Sequence, residues 1–240
     1  MAPPDSSLCY IRTVRPSDAP ALSRICLLTG DAGKSAEGLH SIPELIGLFY
    51  ACPYVSLPHT GGFVLARRRP LDSPDNVTRA EQQRYTSEED VLGYTLFTYD
   101  THAFEEAAER DWFPPLCAKY PKPVDEAWET VYGKQVTDAD KRYIKLLHSP
   151  DRAPEACVAF SPAHLHIDIL PEAQRHGWGR RLIESAVRYL RDEKGLSGVW
   201  LGMDPRNADA ARFYERLGFQ SIERAPGNYV GLMFGNWTMN

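Results

Sequence analysis

The sequence predicts an α/β fold, and three observations in its last third carry that reading. From residue 164 onward the segments alternate strand, helix, strand, helix, strand, an order that a sheet with helices on its faces accommodates. Two segments show the apolar period of half-buried helices. Leu182, Ile183, Ala186, Val187 and Leu190 form one stripe, with Arg180, Arg181, Glu184, Arg188 and Arg191 outside it; Ala210, Phe213, Tyr214 and Leu217 form another. Between the first strand and its helix stands a polar turn, Gln174-Arg175-His176-Gly177-Trp178-Gly179, whose glycines suit a tight strand-to-helix junction.

Taken in order, Cys9–Val14 reads as a short strand, and Ser17-Asp18 as the cap of a helix whose apolar positions Leu22, Ile25, Cys26 and Leu28 follow helical spacing. Gly30 and Gly33 break that helix. Pro43 opens a second one through Leu45, Ile46, Phe49 and Tyr50. Gly62–Arg67 and Val91–Tyr99 are rich in β-branched and aromatic residues and read as strands, joined by a polar loop over Arg68–Asp90. Thr101–Pro150 mixes helix-prone runs, Ala103–Arg110 and Thr137–Leu147, with a rigid proline-rich stretch from Trp112 to Pro123, and reads as a structured insertion. Then follow strand His164–Leu170, helix Gly177–Lys194, strand Gly198–Met203, helix Asn207–Leu217, and strands Phe219–Arg224 and Tyr229–Phe234.

Composition narrows the class. With 43% hydrophobic and 25% charged residues the chain is an ordinary globular one, not a disordered segment, coiled coil or collagen-like fibre. The net charge of −5 argues against a nucleic-acid or anionic-membrane partner, which needs a basic face. No apolar stretch approaches the roughly 18 residues of a membrane span. Five widely spaced cysteines with no C-x-x-C pair read as reduced thiols, and the first residues have no leader character. An intracellular protein, cytoplasmic or nuclear, is expected. The sequons at Asn76 and Asn236 are then accidental.

The chemistry concentrates in Leu165–Arg181. A strand ends at Pro171, and the glycine turn opens a helix whose unpaired N–H groups and positive dipole end form an anion cradle, with Arg175 and Arg180 adding charge. A pyrophosphate is the anion such a backbone cradle fits. Downstream stands Asn207-Ala208-Asp209-Ala210-Ala211-Arg212-Phe213-Tyr214-Glu215-Arg216-Leu217-Gly218-Phe219.

On these two segments, Q-x-x-G-x-G (Gln174, Gly177, Gly179) and N-x-x-A-x-x-F-Y-x-x-L-G-F (Asn207 to Phe219), the chain resembles the GNAT superfamily of acetyl-CoA-dependent N-acetyltransferases. The specific part covers 164–224. The resemblance implies one domain over 1–240, with a mixed, mostly antiparallel sheet that splays near Leu170, flanking helices and a helical insertion at about 101–150. A closer resemblance is carried by Ile25–Gly33, Lys119–Pro123 and Val124–His148, which look like the acetyltransferase-like C-terminal domain of O-GlcNAc hydrolases and its stand-alone microbial relatives. The animal hydrolase domains lack a convincing glycine cradle. This chain keeps it, which implies a working enzyme.

The resemblance further implies that acetyl-CoA is held by Gln174, Arg175, His176, Gly177, Trp178, Gly179 and Arg180, and by Asn207 and Phe213 on the later helix. Backbone N–H groups of Ile169 and Leu170 would reach the pantetheine arm and the acetyl oxygen, where charge develops. Tyr214 would protonate the departing thiolate, or else serve only as core. Asp168 is the nominated general base, with a surface carboxylate as the alternative, since strand parity alone leaves its direction open. His164 and His166 share its face, as a relay or as hydrogen-bonded scaffold. Asp31 would hold a small-molecule amine acceptor, or be a solvated loop residue. Trp112, Phe113, Tyr120 and Trp128 wall the same cleft or form the insertion's core. Gly30–Ser35 imitates a phosphate loop but has Leu28 where the motif needs a glycine. No metal is expected, because no third ligand is suitably spaced, and Cys157 lacks an activating partner for nucleophilic catalysis. The expected function is acetyl transfer to a primary amine such as glucosamine. Protein lysine and a non-catalytic acetyl-CoA sensor are the alternatives, and oligomeric state stays open.

Overall fold

The computed structural model describes residues 8–68 and 89–237. Most of the polar loop expected between the second and third strands, and Asn76 with it, lies outside the described residues. The strands are β1 (Cys9–Thr13), β2 (Thr60–Arg68), β3 (Glu89–Thr98), β4 (His164–Ile169), β5 (Gly198–Gly202), β6 (Gln220–Ser221) and β7 (Tyr229–Met233). They form one sheet in the order β1-β2-β3-β4-β5-β7-β6. Every pairing is antiparallel except β4 with β5, which run parallel and meet at His164 and Trp200 alone. Beyond that point the two strands separate. This is the splay expected near Leu170.

Helices α1 (Ala19–Thr29) and α2 (Glu44–Tyr50) join β1 to β2. Leu22, Ile25 and Cys26 of α1 and Ile46 of α2 are buried against Val64, Tyr94 and Leu96 of the sheet. Asp18 does not cap α1 through its side chain. It lies in a single 3₁₀ turn, Pro16–Asp18, where its carboxylate accepts from Arg15 N–H and from both ends of the Arg12 guanidinium, each at 2.8 Å. A bidentate arginine outcompetes the helix terminus for that carboxylate.

Between β3 and β4 come α3 (Thr101–Ala107), α4 (Phe113–Lys119), α5 (Trp128–Tyr132) and α6 (Asp138–His148), followed by α7 (Glu155–Phe160). The proline-rich stretch is helical where Pro114 and Pro115 occupy the first turn of α4, positions whose missing N–H costs nothing. Tyr120, Trp128, Val136, Ile144 and Leu147 bury against Ile42 and Leu45, so the insertion carries its own core and packs on α2. Trp112 donates its indole N–H to Leu48 O at 2.9 Å. These aromatic residues are packing groups. On the other side of the sheet, α8 (Trp178–Arg188), prolonged by a π-helical segment at Tyr189–Glu193, and α9 (Ala208–Arg216) share a core with Phe97, Leu165 and Val199. The penultimate strand is shorter than expected, Gln220–Ser221 only.

One polar staple locks the insertion to the α1–α2 connection. Asp140, fully buried in the first turn of α6, accepts from Ser41 N–H (2.8 Å) and Ser41 Oγ (2.7 Å), and pairs with His40 Nδ1 at 2.7 Å. Burial opposes its charge, yet these bonds hold the carboxyl below the usual range. Asp140→Ala strands the Ser41 and His40 donors and is expected to cost about 3 kcal/mol in urea unfolding at pH 7. A carboxyl held low in the folded state stabilises above its unfolded value, about 4, and loses that contribution as pH falls. The wild-type and variant stabilities should therefore converge on acidification.

Candidate active site

The parity of β4 decides which backbone groups face the splay. Leu170 N–H donates to Leu92 O at 2.8 Å, so Leu170 is bonded toward β3. In an antiparallel ladder bonded and open pairs alternate, and Ile169, opposite Gly93, therefore turns its N–H into the gap left by β5. Of the two donors expected there, Ile169 is available and Leu170 is not. Ile169 O accepts from Gln174 Nε2 at 2.8 Å, which ties the glycine turn to the end of β4.

The turn itself is a helix N-terminus with room in front of it. Gly177 is the N-cap of α8 at φ 80°, and a Cβ there would meet nothing within 4 Å. The first-turn N–H groups of Trp178 and Gly179 have no acceptor within the helix. Arg175 adopts φ 64°, a left-handed conformation uncommon for a side-chain-bearing residue, and with His176 it is exposed beside the turn. Two side chains depart from expectation. Trp178 is buried with Leu65, Leu92 and Leu182, so only its backbone faces the turn. The Arg180 guanidinium stacks 5.0 Å over the Trp237 ring. Gly179 is small for packing, since a Cβ would stand 2.9 Å from the Phe213 ring and 3.5 Å from Ile169 Cδ1. Phe213 thus braces the cradle from α9.

On the α1–α2 face, β4 presents His164, His166 and Asp168 in a row. Asp168 lies opposite Tyr94 and accepts its phenol hydrogen at 2.6 Å. Burial raises the Asp168 carboxyl from its ordinary 3.8 to about 6, against the pull of the Tyr94 and Thr29 hydroxyls. It is a carboxylate at neutral pH with real proton affinity. His164 is scaffold: Tyr54 Oη lies 2.6 Å from Nε2 and Thr101 Oγ1 2.8 Å from Nδ1. Thr101 Oγ1 gives its own proton to Pro162 O at 2.8 Å, so Nδ1 carries the imidazole hydrogen and Nε2 accepts from Tyr54. Tyr214 is buried, its ring 5.4 Å from both Phe213 and Phe219. Burial and the Asp168 charge push its phenol above the usual range, so it stays protonated and within electrostatic reach of Asp168.

The remaining residues serve locally. Asn207 caps α9, its Oδ1 accepting from Ala210 N–H at 3.0 Å, and its Nδ2 faces Gly33. Asp31 and Lys34 close a tight turn over Ala32 (φ 50°) and Gly33 (φ 88°), and the Asp31 carboxylate pairs with Arg206 at 2.9 Å. It ties one loop to another instead of standing open to an acceptor. Cys157 is fully buried with its thiol pushed up, as an inert core group. Sequence reasoning missed Tyr94, Thr29 and Tyr50 as residues around Asp168 and His166, and Tyr143 packed behind Tyr50. Their signal is register and tertiary packing, which spacing does not carry.

A profile of the Acetyltransferase (GNAT) family matches residues 101–219. The crystal structure of SsHAT is similar over 94% of this chain and 98% of that one, at 33% identity and a TM-score of 0.73. The chain belongs to the GNAT family. Curated relatives align over a shorter stretch. The mycothiol acetyltransferase of Salinispora arenicola (strain CNS-205) is 45% identical over 49 residues, 20% of this chain, and that of Rhodococcus opacus (strain B4) is 44% identical over 54 residues, 22% of it. The matched stretch spans 16% and 17% of those relatives' lengths.

The cosubstrate of the GNAT family is acetyl-CoA, and the residues here fit it. The open space before Gly177 and the first-turn N–H groups of α8 suit a pyrophosphate, and the gap beside Ile169 suits an extended arm that needs backbone partners. Among the described residues no helix is long and apolar enough to cross a membrane.

Proposed function

We propose that this chain transfers the acetyl group of acetyl-CoA to a primary amine by direct attack, and that the acceptor is an amino sugar such as glucosamine. The carrying observation is Asp168: a carboxyl raised to about 6, on the strand that borders the splay. An alkylammonium has a pKa near 10.4 and cannot attack until it loses a proton. Asp168 takes that proton, directly or through water. Ile169 N–H stabilises the charge that develops on the acetyl oxygen. Tyr214, kept protonated by burial, supplies a proton to the departing thiolate. The likeness of Ile25–Gly33 and Lys119–His148 to the acetyltransferase-like domain of O-GlcNAc hydrolases supports the amino-sugar acceptor, and the ordinary acidic charge supports a small polar substrate over nucleic acid.

Steady-state release of CoA thiol with a panel of amines tests the proposal. Saturable turnover with glucosamine, faster than with lysine-containing peptides, is expected. Peptides turning over far faster than every small amine would remove the amino-sugar acceptor. Tight acetyl-CoA binding without turnover on any amine would make the protein a sensor instead of an enzyme.

A further inference from the structure

His166 differs from its neighbours in one respect. His164, two residues before it, has both ring nitrogens committed, and Asp168, two residues after it, is bonded to Tyr94. Neither nitrogen of His166 has a hydrogen-bond partner among the described residues. Nor is the ring sealed off: it is half-buried, and among the described residues the buried polar side-chain atoms left unpaired are the Thr95 hydroxyl and the Trp237 indole N–H, not this imidazole. Burial holds its pKa down to about 4, so at neutral pH it offers one donor and one acceptor.

Aromatic rings surround it. Tyr54 lies 5.3 Å away, ring centre to ring centre, and Tyr50 5.7 Å away; Tyr143 of α6 stands edge-on to Tyr50 at 6.0 Å. The wall is stiff. Tyr54 is pinned through His164 and Thr101 to Pro162, and Tyr143 packs 5.5 Å from the ring of His40, itself held by Asp140. The insertion therefore reaches the face that carries Asp168 through the contact of Tyr143 with Tyr50. Alternate residues on a strand stand about 6.6 Å apart, the span of a six-membered ring with its substituents.

We propose that His166 is an acceptor-binding residue, exchanging hydrogen bonds with the hydroxyl groups of a polyhydroxylated amine whose ring lies against Tyr50 and Tyr143 while its amine reaches Asp168. This rests on the acetyl-transfer reading and adds the chemistry of the acceptor: adjacent hydroxyls, each both donor and acceptor, match a neutral imidazole, and the C–H faces of a sugar ring match tyrosine faces. A plain alkylamine would reach Asp168 without using His166.

The test compares His166→Phe, which keeps a ring and removes both nitrogens, with His166→Gln, which keeps a donor and an acceptor. For glucosamine, His166→Phe should raise KM about tenfold or more and leave the acetyl-CoA KM within about twofold, a loss expected of one or two hydrogen bonds. His166→Gln should recover part of it, and butylamine turnover should be indifferent to both. Unchanged glucosamine KM in both variants would overturn the inference, and so would an equal loss on butylamine, which marks a packing role. If the wild type acetylates no amine, the acetyl-transfer reading fails on its own. Titrating wild type with glucosamine while following the His166 imidazole resonances then decides the binding role: a saturable shift absent from His166→Phe supports it, and no shift overturns it.

Discussion

Asp168→Asn is expected to lower kcat/KM by about 10²–10⁴-fold, the usual span for a positioned general base, with acetyl-CoA affinity unchanged. The substitution keeps the shape and an acceptor for the Tyr94 hydroxyl, which now donates at 2.6 Å, and removes only proton affinity. The pH dependence follows in sign. A base works deprotonated, and burial raises this carboxyl to about 6. Wild-type kcat/KM should therefore fall as pH drops through about 6, and the variant should lack that limb. Stability moves the opposite way from activity. A carboxyl whose folded value lies above its unfolded one costs stability as pH rises through the interval from 3.8 to about 6. Asp168→Asn removes that cost and should unfold at the same temperature as wild type, or higher, at pH 7. A variant that unfolds much earlier would make Asp168 a structural residue.

Tyr214→Phe is expected to lower turnover by about 10²-fold with little change in folding or cofactor affinity. The ring remains packed against Phe213 and Phe219, and one hydroxyl is lost. An acid near the thioester sulfur helps only when the C–S bond breaks, since the ground state offers it little to stabilise. Measured kcat and acetyl-CoA Kd separate the outcomes. Unchanged kcat would leave Tyr214 as packing and move the acid role to water. Weakened cofactor binding at unchanged kcat would make the hydroxyl a binding contact.

Where periodicity speaks, the sequence was legible. Leu182, Ile183, Ala186, Val187 and Leu190 are all buried as their spacing predicts, because a helix face is a local property. The glycine turn was legible for a similar reason: residues 174–179 are contiguous, and their backbone joins one strand to the helix that follows it. What required the structure was direction and register. Asp168 alternates with His164 and His166, but only the pairing with Tyr94, 74 positions earlier, says which side they face, and only their burial there says why the carboxyl is raised. Asp18 looked like a cap and instead serves Arg12, since a side chain's competing partner across the sheet is not visible locally. Trp178 and Arg180 stand in a cradle motif, yet their side chains leave it for Leu182 and Trp237. The motif describes backbone, and tertiary packing decides where its side chains go. Gly179 makes the same point, being small for the sake of Phe213.

The central claim is that the N-terminus of α8 and the β4–β5 splay together hold acetyl-CoA, and calorimetric titration tests it most directly. Wild type should bind acetyl-CoA with one saturable heat. Gly177→Val places a branched side chain in the open space before the helix and on a backbone at φ 80° that valine resists. Binding should weaken by about 100-fold or more, as expected when several charge-assisted hydrogen bonds are lost together, in protein whose circular dichroism shows it folded. No heat with wild type at millimolar acetyl-CoA, or equal affinity in Gly177→Val, would contradict the account.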